Sequence, residues 1–218
     1  MSPRKTMLLA AATAILWGTK AFSAILATDA NAISGFHGTQ DFSATFAPTL
    51  TMKGEVDYAV YAPGQFKLTF GAGSDPSSDK RFVYAYQLHN TGGTADRDLG
   101  FLSVGFNQAG PGGSNPQDIG MLLVGDHGDD PSSSTFIPAS GPPFNSATWN
   151  FSTAIPDAHY SEILLFTSPY PPEFYDSSVQ GGGLSKQSRL PSPVPEPGTA
   201  LAACGMTMAL LLRRRNSQ

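Results

Sequence analysis

Apolar side chains in the middle of this chain return at every second position, and that period decides what it can fold into. Val56, Tyr58 and Val60 alternate with Asp57, Ala59 and Tyr61. Phe66, Leu68 and Phe70 alternate with Lys67 and Thr69, while Phe82, Tyr84, Tyr86 and Leu88 share one side of a longer run. In an extended chain successive side chains point to opposite faces, so each run predicts a strand with one face turned inward. Residues 99–106, the alternation of Ala147, Trp149 and Phe151, and residues 161–167 predict three more. One or two further strands are expected between residues 36 and 52. Residues 119–124 are almost continuously apolar, which predicts a strand at the centre of its sheet. No 3.6-residue apolar repeat of useful length occurs between the two ends of the chain.

Clusters of Gly, Pro, Ser, Asn and Asp separate these runs, at residues 72–79, 90–93, 110–116 and 138–143. Gly reaches positive φ and Pro fixes φ, so each cluster stops a strand for a physical reason. Seven to nine short strands punctuated in this way predict an all-β fold. The specific expectation is a single antiparallel β-sandwich of jelly-roll or immunoglobulin-like type over residues 28–176. An N-terminal signal helix and a C-terminal hydrophobic helix are expected to flank it. From residue 177 to 193 the chain turns to Ser, Gly, Gln and Pro around Gly181, Gly182 and Gly183. That composition predicts a flexible stalk.

The two ends differ from everything between them. Arg4 and Lys5 precede an eleven-residue apolar stretch, residues 7–17, and Ala21 and Ser23 then offer small side chains. Residues 1–23 therefore read as a secretory signal peptide, with Ala27 and Ala32 as alternative cut points. At the other end Val194, Pro195, Glu196 and Pro197 lead into the fifteen uncharged residues 198–212. Two prolines around a glutamate cannot propagate a helix, so they hold an extended segment. The run itself reads as a helix entering a bilayer. Its length of about 22 Å falls short of a hydrocarbon core of about 30 Å, a gap that snorkelling and local thinning accommodate. Arg213, Arg214 and Arg215 stop translocation and keep the C-terminus cytoplasmic.

In this order, residues 194–215 resemble the PEP-CTERM sorting signal of Gram-negative bacteria, the substrate tail of membrane enzymes called exosortases. The resemblance covers about a tenth of the chain. It implies export, transient anchoring in the inner membrane by the C-terminal helix, and processing near Pro195-Glu196-Pro197 by an exosortase-like enzyme. It also implies an association with extracellular polysaccharide or biofilm matrix at the cell surface or beyond it.

Charge agrees with a life outside the cell. Six of the thirteen basic residues lie in the end segments, while all seventeen acidic residues lie between residues 24 and 197. That body therefore carries a net charge near −10. Nucleic acid is not expected as a partner, because phosphate binding needs clustered Lys or Arg. The one cysteine, Cys204, sits in the apolar tail, so the body has no disulfide and depends on its core.

Catalytic patterns are missing. The sequence has no Gly-x-Ser-x-Gly, no His-Glu-x-x-His, no phosphate-cradling Gly-rich loop with Lys and no Cys pair. His37, His89, His127 and His159 are scattered without ligand spacing. No catalytic residue and no cofactor are therefore assigned, and no enzymatic activity is expected. Asp126, Asp129 and Asp130 are calcium candidates, since that ion takes six to eight oxygen ligands; a solvated acidic turn has the same composition. Asp75 with Asp79, and Asp96 with Asp98, repeat the ambiguity. Tyr84, Tyr86, Tyr170 and Tyr175 suit a sugar-stacking surface or a core. Two functions stay open. The favoured one is a non-enzymatic structural or matrix-associated surface domain, processed by signal peptidase and an exosortase-like enzyme. The alternative is a secreted carbohydrate-binding or calcium-dependent binding module.

Overall fold

A computed structural model describes residues 25–47, 50–92, 97–107, 114–138, 141 and 144–195. The signal peptide, Asp96, Glu196, Pro197, the apolar run 198–212 and the three terminal arginines lie outside the described residues. Among the described residues no helix is long and apolar enough to cross a membrane.

The described chain is all-β, as its two-residue period requires, with every paired strand antiparallel. One sheet runs β1 (His37–Asp41), β4 (Gly54–Tyr61), β5 (Phe82–Asn90), β10 (Leu164–Ser168), β7 (Gln117–Met121). A second runs β12 (Leu184–Pro193), β11 (Pro172–Gly181), β6 (Leu99–Gly105), β9 (Ser146–Ile155), β8 (Ser133–Ile137). A small hairpin pairs β2 (Ala44–Ala47) with β3 (Leu50–Met52).

The alternation seen in the sequence becomes two buried layers. Val56, Val60, Tyr84, Tyr86, Leu88, Leu164 and Phe166 of the first sheet meet Leu102, Val104, Trp149, Val179 and Leu190 of the second in one core. Cross-strand register places Val60 beside Tyr84 and Tyr84 beside Phe166, so an apolar row crosses three strands with stacked rings on β5 and β10. Phe166 sits at the hub, with ring centroids 4.9 Å from Tyr84 and 5.3 Å from Phe106. Buried polar tips are satisfied by main-chain carbonyls of neighbouring segments. Tyr86 donates to Pro191 O at 2.5 Å, Tyr84 to Tyr170 O at 2.8 Å, and Trp149 Nε1 to Gly120 O at 2.8 Å. The opposite face of the first sheet carries a second cluster of Ala59, Tyr61, Val83, Ala85, Ile163 and Leu165, covered by Leu26 and Phe66. Hence β4, β5 and β10 are apolar on both faces.

Three sequence expectations are corrected. Phe66, Leu68 and Phe70 form one helical turn, α1 (Phe66–Phe70), and not a strand. Phe66 and Phe70 stand four residues apart, so a helix brings their rings to 4.6 Å on one face and leaves Leu68 exposed. Residues 119–124 are not a central strand: β7 is the outermost strand of its sheet and stops at Met121, and Leu123 is 83% exposed.

The third correction concerns residues 177–193, expected as a stalk. They belong to a hairpin in which β11 and β12 pair over all ten residues from Pro172↔Pro193 to Gly181↔Leu184. Gly182 and Gly183, with φ of 54° and 85°, form the two-residue turn. Proline is tolerated in β12 because it is an edge strand with one side free of ladder bonds. The folded domain therefore runs past residue 176 and also begins before residue 28, since Leu26 is fully buried.

Candidate functional site

Strand β7 ends in a loop that returns across the end of β5, and this loop holds the three aspartates singled out as calcium candidates. Its shape is set by the buried carboxylate of Glu162, 4% exposed. Glu162 Oε1 accepts from His127 N at 2.6 Å and Gly128 N at 3.3 Å, and Oε2 lies 3.3 Å from His127 Nδ1. Gln87, also buried, donates through Nε2 to His127 O at 3.1 Å and to Ser161 O at 3.0 Å. Main chain completes the latch: Asp129 N donates to Tyr160 O, and Glu162 N to Asp129 O, both at 2.8 Å. Gly128 is required here, because a Cβ would overlap Tyr160 O and Ser161 O.

Three of the four scattered histidines gather around residues 159–162. Each faces a carboxylate: His127 with Glu162 at 3.3 Å, His159 with Asp129 at 3.5 Å, and His89 with Glu55 at 3.8 Å. His89 also stacks on Tyr160 with centroids 3.9 Å apart. Burial pushes the His89 imidazole below its ordinary value, opposed by Glu55 and Asp57. Burial likewise raises Asp57, although the Thr39 hydroxyl donates to it. Ser161 is engaged by main chain on both sides, accepting from Leu88 N at 2.9 Å and donating to Glu162 O at 2.7 Å. This arrangement can hold a loop and exchange protons with solvent; it positions no nucleophile against a base.

The calcium candidates are not brought to one point. Asp126 and Asp130 are exposed, Asp129 turns towards His159, and no group of three or more His, Cys, Asp or Glu among the described residues is placed to hold a metal ion. Asp79 pairs with Lys67, and Asp75 Oδ1 accepts from Ser77 N at 2.8 Å and its hydroxyl at 2.7 Å. Asp98 is exposed. Tyr84 and Tyr86 are fully buried, which removes them from any sugar-stacking surface; Tyr170 and Tyr175 are half-buried.

Of the sorting motif, Val194 and Pro195 are described. Val194 N donates to Pro171 O at 3.1 Å and Pro195 is buried, so the motif begins on the folded surface itself. The residues just before it are pinned: Ser192 Oγ donates to Gly105 O at 2.6 Å, and Ser114 Oγ to Pro193 O at 2.9 Å.

Glu162 and Gln87 carry the latch and went unnoticed in the sequence. The signal was present: Glu162 immediately precedes the apolar run Ile163, Leu164, Leu165, where a charge is rarely buried unless it is partnered. No protein-family model, curated protein or solved structure matches the chain.

Proposed function

We propose that this chain is an exported surface protein delivered by an exosortase-type system. Its domain is non-enzymatic, serving as structural or matrix-associated material beside extracellular polysaccharide. The observation that carries the reading is the order at the C-terminus: Pro195-Glu196-Pro197, fifteen uncharged residues, then Arg213-Arg214-Arg215. A helix halted by arginines holds the chain in the inner membrane, because moving each through hydrocarbon costs about 2.5–3.5 kcal/mol on insertion scales. The rigid Pro-Glu-Pro segment then offers a carboxylate at the membrane edge at little entropic cost. Signal peptidase and an exosortase-like enzyme are its processing partners, and the cell surface or medium is its destination. The core shared by the two five-stranded sheets supports a finer fold reading, an antiparallel β-sandwich.

Mass spectrometry of the mature C-terminus tests this reading in a host that carries the processing enzyme. Wild type should lose its tail near residue 196, and Glu196→Ala should stay in the membrane with the tail intact. Replacing Arg213, Arg214 and Arg215 with Ser should let a fraction of chains slip through uncleaved. Normal maturation of Glu196→Ala would reduce the motif to a turn ahead of a helix and remove the main support for the assignment.

A further inference from the structure

We infer that export processing cuts this chain upstream of Leu26, at the Ser23–Ala24 bond, and that residues 25–33 stay with the mature protein as a structural strap. The inference rests on the export half of the proposed function. Ala21 and Ser23 are small at the two positions a signal peptidase reads, but Ala30 and Ala32 form an equally small pair, and Ala27 is a third option. Sequence alone leaves these open. The fold separates them by what each cut would remove.

Leu26 starts a 3-10 turn, Leu26–Thr28, and is fully buried in the outer cluster of the first sheet with Ala59, Tyr61, Val83 and Ala85. Asp29 follows and binds two separate elements. Its Oδ2 accepts from Tyr61 OH of β4 and from Thr69 Oγ1 of α1, each at 2.6 Å, and its Oδ1 accepts from Asn31 N at 2.9 Å. Asn31 Nδ2 donates to Thr69 Oγ1 at 3.0 Å, and His37 Nδ1 lies 3.0 Å from Ala27 O. Past this point Ile33 N donates to Val60 O at 2.8 Å, where the chain joins β4.

A cut after Ala27 would remove Leu26 and leave a hole over β4 and β5. It would also take away the carbonyl that His37 faces. A cut after Ala32 would remove Asp29 as well, stranding the hydroxyl of Tyr61, a residue with no solvent exposure. By contrast, a cut at Ser23–Ala24 puts the new ammonium two residues ahead of Leu26, beside Ile25, which is 42% exposed. Of the three products, only that one keeps every contact of the strap.

Intact-mass measurement and N-terminal sequencing of the full chain, expressed in an exporting Gram-negative host, read the answer directly. The expected first residue is Ala24. A mature chain starting at Thr28 or Ile33 would overturn the inference while leaving export standing. A chain that retains Met1 in the cytoplasm would overturn both. A Ser23→Phe variant adds a second reading, because a bulky side chain blocks the upstream cut. Mature protein should then fall by about fivefold or more, since a product cut after Ala27 or Ala32 lacks Leu26 and is cleared. A shortened chain accumulating to the wild-type level would refute the strap.

Discussion

Replacing Glu162 tests whether one buried carboxylate organises the loop after β7. In Glu162→Ala the amide of His127 loses an acceptor at 2.6 Å, and those of Gly128 and Ile163 lose weaker ones at 3.3 Å. A hydrogen bond to a charged group contributes about 1.5–3 kcal/mol, and a stranded buried N–H costs about 1–3 kcal/mol. Taking the short bond at about 2 kcal/mol and the two long ones at about 1 kcal/mol together gives about 3 kcal/mol. For a domain of this size that lowers Tm by about 6–12 °C. Glu162→Gln keeps one oxygen for His127 N but turns an N–H towards the donor of Ile163, so about 1 kcal/mol is expected. Thermal unfolding followed by circular dichroism gives the ordering. Amide exchange at His127 and Gly128 locates the effect, with protection lost in Ala and largely kept in Gln. An Ala variant within about 2 °C of wild type, with His127 still protected, would show that main-chain contacts alone hold the loop.

Two other perturbations probe different parts of the fold. Gly181→Ala places a Cβ against Asp98 O and Leu99 Cα and should destabilise by about 1–3 kcal/mol in urea titrations, whereas in a free stalk it would be silent. His89 is held below its ordinary pKa by burial, so the unfolded chain takes up its proton first. Its contribution is complete above about pH 6.5 and is lost as pH falls through the lower folded value, so His89→Gln should flatten the decline in urea midpoint between pH 7 and pH 5.

Much of the fold was legible because burial on one side of a sheet leaves a two-residue trace. Val56 to Val60 and Phe82 to Leu88 follow that trace and became β4 and β5. Residues 66–70 carry the same trace and became a helical turn, because apolar residues at i and i+4 satisfy both periods when a run is only five residues long. The hairpin of β11 and β12 was obscured for another reason. Its solvent side is Ser, Lys, Gln and Arg, and composition cannot distinguish a polar strand face from a linker. The pair Gly182-Gly183 was the informative part, since that dipeptide fits a two-residue turn. The latch of Glu162, Gln87 and His127 joins residues up to 75 positions apart, a distance over which local patterns carry no information.

The anchoring of the chain from β12 to Pro195 has a mechanical consequence. Strand β12 is bonded to β11 in register as far as Pro193, and its last residues are pinned through Tyr86, Ser192 and Ser114. A load applied at Pro195 along the strand direction therefore enters the domain along the axis of β12. All ten rungs of the ladder then resist together, in shear, where a pull across the strand would open them one at a time. A protein pulled through Pro195 by flow or a moving matrix would pass that tension directly into its second sheet.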